Sequence, residues 1–126
     1  MNENELSKVI VESAIENHRE PRDPGLLESV YEESMVEELA SRGLRVESQV
    51  RVPLVYKGRQ LATPLRLDLR VGKLVLVANN AVTEWNRIFE AKMLTYLRLT
   101  GLELGLVINF GERYVKNGIH RGVNGV

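Results

Sequence analysis

The chain contains no cysteine, which excludes a disulfide framework, a thiolate nucleophile and a zinc–thiolate centre. Histidine is almost as scarce. His18 and His120 are the only 2; they are too isolated to suggest a metal pair, and each is expected at a surface or boundary. No apolar run approaches the length of a membrane span. There is no glycine-rich phosphate loop, and no serine or threonine sits in a nucleophile-elbow context. Net charge is missing as well, with 17 basic side chains against 17 acidic ones. The opening Met-Asn-Glu-Asn-Glu is acidic and polar, unlike a signal peptide, so a cytoplasmic placement in a prokaryote is the expectation.

What is present is enough chain for one domain over residues 1–126, with a core of ordinary size. The balanced charge is unevenly spread. Residues 1–43 carry 11 acidic and 4 basic side chains, whereas residues 44–126 carry 6 acidic and 13 basic. Such asymmetry hints at a nucleic-acid face. The plainer reading is an acidic helical layer packed near a basic sheet with largely cancelling fields, and charge alone does not identify a ligand.

Asn2 and Glu5 have the spacing of a capping box. Leu6, Val9, Ile10, Val11, Ala14 and Ile15 then repeat at helical spacing to about His18. A second helix is predicted from Gly25 or Leu26, with an apolar stripe of Leu27, Val30, Tyr31, Met35 and Leu39 and a stop at Gly43. Short β runs follow over 44–50, 52–56, 61–71 and 74–78, with Lys57-Gly58 and Gly72-Lys73 as turns. Thr83 looks like the cap of a third helix over 84–99, closed by Gly101. A buried strand is predicted over 104–110, with Ile119 and Val123 as packing points in a glycine-rich tail. A helix crossing between two apolar strands predicts an α/β sandwich with a mixed β-sheet flanked by helices.

Leu65 to Asn80 is the most informative stretch. Leu65, Leu67, Leu69 and Val71 alternate with Arg66, Asp68 and Arg70, the period of a half-buried strand. Leu74-Val75-Leu76-Val77 is a continuous apolar run, as in a strand buried on both faces. Many magnesium nucleases place a carboxylate on the first of two such strands and Glu-x-Lys at the end of the second, the Glu and Lys sharing a face. Here the carboxylate is Asp68, and Ala78-Asn79-Asn80 stands where Glu-x-Lys would. Glu28 lies one residue after Leu27 and three before Tyr31, at the edge of its helix's apolar stripe. Spacing alone makes it an ordinary boundary glutamate.

Gly25-x-x-Glu28-x-x-Tyr31 resembles the signature of the GxxExxY protein family, a prokaryotic branch of the PD-(D/E)XK nuclease superfamily. The likeness extends through Asn4 to Lys8, Leu65 to Leu69, Leu94 to Leu102, Leu106 to Phe110 and the ending Asn117 to Gly125. It implies a restriction-endonuclease-like core, Mg²⁺ as cofactor and DNA or RNA as partner. Two carboxylates on adjacent strands hold the ion in that superfamily. The ion lowers the pKa of a bound water, and a lysine orients it. Carried over, Glu28 is the helical acid and Asp68 the first strand acid, both candidate metal ligands. The second acid falls on Ala78 and the lysine on Asn80, so the chain is expected to hold Mg²⁺ poorly. Relatives also tend to read His and Gln where this chain has Phe89 and Lys92.

Lys92 shares a helical face with Ile88 and Tyr96 and is a candidate replacement for the missing lysine. Glu90 points about 160–200° away from Lys92 and is unsuited to replace the acid; Glu84 suits better if its loop folds back. Trp85 is expected to anchor packing, or to stack a base if exposed. Three functions stay open: a catalytically impaired nuclease-like protein that keeps nucleic-acid binding, an active Mg²⁺-dependent nuclease with a migrated site of Glu28, Asp68 and Lys92, and a non-enzymatic protein-interaction domain. The sequence does not set the oligomeric state, and a homodimer is compatible with it.

Overall fold

A computed structural model describes residues 1–19 and 28–124. Helix α1 (Glu3–Arg19) begins at the capping box. The Glu5 N–H donates to Asn2 Oδ1 at 2.8 Å, and the Asn2 N–H donates to Glu5 Oε1 at 3.3 Å. Leu6, Ile10 and Ala14 form its buried face. Helix α2 (Glu28–Ser41) buries Tyr31, Met35 and Leu39, spaced one helical turn apart. Val30, expected in that stripe, is 40% exposed. The expected start of this helix at Gly25 or Leu26, and Leu27 with it, lies outside the described residues. Gly43 closes the end at φ 80°.

The strands are β1 (Val46–Val52), β2 (Val55–Tyr56), β3 (Arg59–Gln60), β4 (Leu65–Val71), β5 (Val75–Asn80), β6 (Leu104–Asn109) and β7 (Ile119–Val123). Five of them make one mixed sheet in the order β1-β4-β5-β6-β7, while β2 and β3 pair as a separate hairpin. The β5–β6 pair is parallel and the other pairs are antiparallel. Helix α3 (Ile88–Thr100) makes the crossover between β5 and β6. Helices α1 and α2 cover one face, over Leu69, Val71, Val75, Val77, Leu106 and Ile108. Helix α3 covers the other, over Leu67, Leu76 and Val107. Met93 presses so closely on Gly105 that only a hydrogen fits there. Truncating a fully buried residue such as Leu69 to alanine would cost about 2–5 kcal/mol.

Four expectations are corrected. The break expected at Arg51 lies further on: β1 passes through Arg51 to Val52, because its ladder to β4 continues from Ser48↔Leu69 to Val52↔Leu65, and β2 starts only at Val55. Residues 61–64 are not strand, and Leu61 is exposed. The tail forms a fifth strand, β7, after a 3₁₀ turn at Val115–Gly118. Thr83 does not cap a helix over 84–99. Residues 81–87 are held as a loop by outside bonds, and Asn86 Oδ1 accepts the Ile88 N–H at 2.9 Å, so α3 starts four residues late and Trp85 precedes it. No helix among the described residues is long and apolar enough to cross a membrane.

One irregularity positions the site. On β4, Leu65 and Leu67 pack on the α3 side, whereas Leu69 and Val71 pack on the α1–α2 side. On β1, Val50 and Val52 likewise face α3, and Val46 faces the other layer. Regular strands keep alternate residues on one face, so both strands reverse their faces between these pairs. The reversal on β1 falls at Gln49, at φ 51°, a left-handed conformation that costs about 1–3 kcal/mol outside glycine. Gln49 Nε2 is held there by both Glu32 carboxylate oxygens, at 2.8 and 3.0 Å. Across the ladder, the residue between Leu67 and Leu69 is Asp68.

Candidate functional site

The β4–β5 ladder runs only from Val71↔Val75 to Leu69↔Val77. Beyond it the strands part. In place of the next backbone bond, the Asn79 N–H donates to Asp68 Oδ2 at 2.8 Å. A cleft of about 190 Å³ opens where they separate. Asp68 and Arg66 line it from β4, Ala78 and Asn80 from β5, Phe89, Lys92 and Tyr96 from α3, and Glu28 from α2. Glu28, Asp68, Ala78, Asn80 and Lys92, the positions carried over from the resemblance or offered as the replacement lysine, therefore line one cleft.

Asp68 is mostly enclosed. Burial pushes its carboxyl above the usual aspartate range; the Asn79 N–H works against that rise, and the charge of nearby Glu28 adds to it. Burial likewise raises the Tyr96 phenol, with the Asp68 charge as the second cause. Glu32 is raised by burial too, opposed by its bond from Gln49 and helped by Asp68. Glu28, Glu32 and Asp68 thus make one negative corner. Lys92 and Arg66 line the same cleft, yet Asp68 makes no ion pair among the described residues.

The Mg²⁺ that the resemblance implies has few donors here. Asp68 Oδ2 is engaged by the Asn79 N–H, and Glu28 Oε1 accepts the Ala81 N–H at 3.3 Å. Ala78 offers no oxygen, and Asn80 offers a neutral one. Among the described residues no group of 3 or more acid, histidine or cysteine side chains is placed to hold an ion. The residues present do not make the three-acid site.

The other candidates lie elsewhere. Glu84 is exposed and does not line the cleft. Glu90 points to the opposite flank of α3, where its Oε1 accepts the Trp85 indole N–H at 2.7 Å and lies 3.5 Å from His120 Nδ1. Trp85 is half-buried and stacks on His120, ring centroids 4.0 Å apart. His18 is a boundary residue whose Nε2 lies 3.1 Å from the Phe110 carbonyl oxygen. Neither histidine approaches Asp68 as a ligand.

The sequence reading missed Glu32, Tyr96, Arg66 and Asn79. Glu32 is one helical turn from Glu28, a signal that was available. Arg66 and Tyr96 each lie two or four residues from a nominated position. Asn79 carried no signal at all. It is 3% exposed, and neither atom of its amide has a hydrogen-bond partner among the described residues. Such groups are rare in folded proteins.

No curated protein and no solved structure matches the chain. A model of the PD-(D/E)XK nuclease superfamily, however, matches residues 4–122, and the mixed sheet with its cleft at the parting of β4 and β5 agrees with it. The chain belongs to the PD-(D/E)XK nuclease superfamily.

Proposed function

We propose that this protein is a nuclease-fold domain that has lost metal-dependent phosphodiester cleavage and keeps an affinity for nucleic acid. The observation that carries the reading is the pair Ala78 and Asn80 beside Asp68 in the cleft wall. In the GxxExxY branch that the signature at Glu28 and Tyr31 resembles, those positions supply the second acid and the lysine. Without them an ion is shared by fewer charges, and the water that attacks phosphorus is neither acidified nor oriented. Superfamily membership and the basic character of residues 44–126 support retained binding to DNA or RNA.

A second reading has its own observation. Lys92 lines the cleft together with Asp68 and Glu28, which are the three groups that a migrated active site would use. One experiment separates the two. The protein is incubated with plasmid, single-stranded DNA and RNA in Mg²⁺ or Mn²⁺, and binding to the same substrates is followed across a salt series. The first reading expects no metal-dependent cleavage, with binding that weakens log-linearly as salt rises. Turnover abolished by a chelator and by Asp68→Ala would establish the migrated site. Absence of binding at low salt would leave the cleft to a protein partner.

A further inference from the structure

We propose that the β2–β3 hairpin is an arm that grips a single strand of nucleic acid where it leaves the Asp68 cleft. This rests on the nucleic-acid reading above and adds the form of the ligand and the element that holds it.

The first support is charge. Residues 48–67 contain Arg51, Lys57, Arg59 and Arg66 and no acidic residue. Among the described residues none of these four has a carboxylate partner, whereas Arg42 and Arg70 are both paired. Arg51 and Arg66 sit directly opposite each other in the β1–β4 ladder. Like charges in that position destabilise a sheet, so the fold gains nothing from them, and a phosphate placed between them would relieve their repulsion.

The second support is shape. The hairpin leaves the sheet between Val52 and Leu65, and three residues after Leu65 β4 reaches Asp68. Arg66 is thus both the cross-strand neighbour of Arg51 and a wall of the cleft, so the charged arm and the cavity form one continuous track. A tight turn at Lys57 and Gly58, with φ of 49° and 78°, holds the tip.

The third support is exposed apolar surface on an element that adds little to the core. Val55 is 67% exposed, Tyr56 62% and Leu61 44%. The Lys57 ammonium lies 5.5 Å from the centre of the Tyr56 ring. An open aromatic ring flanked by unpaired cations is the equipment of a single-strand site, because a base stacks on the ring while its phosphate meets the cation. Duplex bases are covered on both faces by their neighbours, which favours the single strand as occupant.

Binding is measured by anisotropy with a labelled single-stranded oligonucleotide and with a duplex of the same length. The wild-type protein is expected to prefer the single strand. Tyr56→Ala should weaken single-strand binding about tenfold and leave duplex binding unchanged. The double variant Lys57→Ala/Arg59→Ala should flatten the single-strand salt slope by about 1.4, two phosphate contacts at 0.7 each. Melting of each variant checks the fold, and these exposed positions should melt with the wild type. If the wild type binds no nucleic acid, the proposed function and the arm fall together. If it binds and the hairpin variants bind alike, or lose duplex binding equally, the arm alone is overturned.

Discussion

The carboxyl ends of the two central parallel strands are built in opposite ways. Asn80 of β5 and Asn109 of β6 are register partners, and each strand end carries a buried asparagine. At β6 both polar atoms of the Asn109 amide are bonded. Its Oδ1 accepts the N–H of Val82 at 3.0 Å and of Gly111 at 2.9 Å, and its Nδ2 donates to the Val82 carbonyl at 3.0 Å. At β5 the Asn79 amide has no partner among the described residues. A polar side chain in a core can fasten a loop or can be a cost, and burial alone does not say which. The β6 end belongs to the fold; the β5 end shows what the fold tolerates beside a cleft.

The largest effect should come from removing the useful amide. Asn109→Leu leaves two N–H groups and one carbonyl of the 81–111 clamp unsatisfied, and should cost about 4 kcal/mol in urea unfolding at ~1–3 kcal/mol per orphaned group. A loss under about 1 kcal/mol would show that water replaces the clamp, and the contrast with Asn79 would dissolve.

The next test asks whether the β5 end is a vacated ion site. Ala78→Glu with Asn80→Lys places both charges at the cleft wall, not in a dry core. The double variant should fold, and an ion at ~100 times its Kd should add about 2.7 kcal/mol of stability. That gain, read as a rise in Tm with Mn²⁺, should vanish when Asp68→Ala is added. An insoluble double variant, or one blind to the ion, would mean that the wall has been repacked as core.

A smaller effect of opposite sign to that of Asn109 is expected at Asn79. Asn79→Leu removes two orphaned polar atoms and should stabilise the protein by about 1–2 kcal/mol in the same urea titration. Destabilisation there would reveal a partner for the amide.

The smallest is a pH effect at Asp68. Because burial raises its folded carboxyl above the ordinary range, between the ordinary and the raised value the folded state binds more proton than the unfolded state. Stability therefore falls as pH rises from the ordinary aspartate value through the raised folded value, and stays lower above it. Asp68→Asn keeps an oxygen for the Asn79 N–H and loses the charge. It should match the wild type at low pH and melt a few degrees higher above that window. If the wild type instead gains on the variant as pH rises, the Asn79 bond outweighs burial.

The contrast between the two strand ends also marks how far the sequence could be read. The helices announced themselves through the Asn2–Glu5 box and the turn-spaced Tyr31, Met35 and Leu39. The buried strands announced themselves through alternation and apolar runs. Glu28, Asp68, Ala78, Asn80 and Lys92 were legible as one set because their spacing resembles a known pattern. Long-range bonds were not legible. Asn109 reaches 27 residues back to Val82, which is what delays α3 past Thr83. Strand β7 was missed because it is short, half-exposed and carries Gly122. The face reversal opposite Asp68 depends on Gln49 adopting a left-handed backbone, a conformation that its residue type does not advertise.

Trp85 is the sole tryptophan of the chain, and its position turns packing into an optical property. Its indole lies flat on the His120 ring of the last strand, tilted 9° from parallel, and its ring centroid lies 5.1 Å from that of Phe89 at a 59° tilt. Phe89 in turn lines the cleft. Excitation of one chromophore therefore samples both the docking of the sheet's edge strand and the filling of the cavity. Emission from the unlabelled protein should redden when β7 frays and shift again when a ligand displaces Phe89, so a stopped-flow trace can time the two events separately.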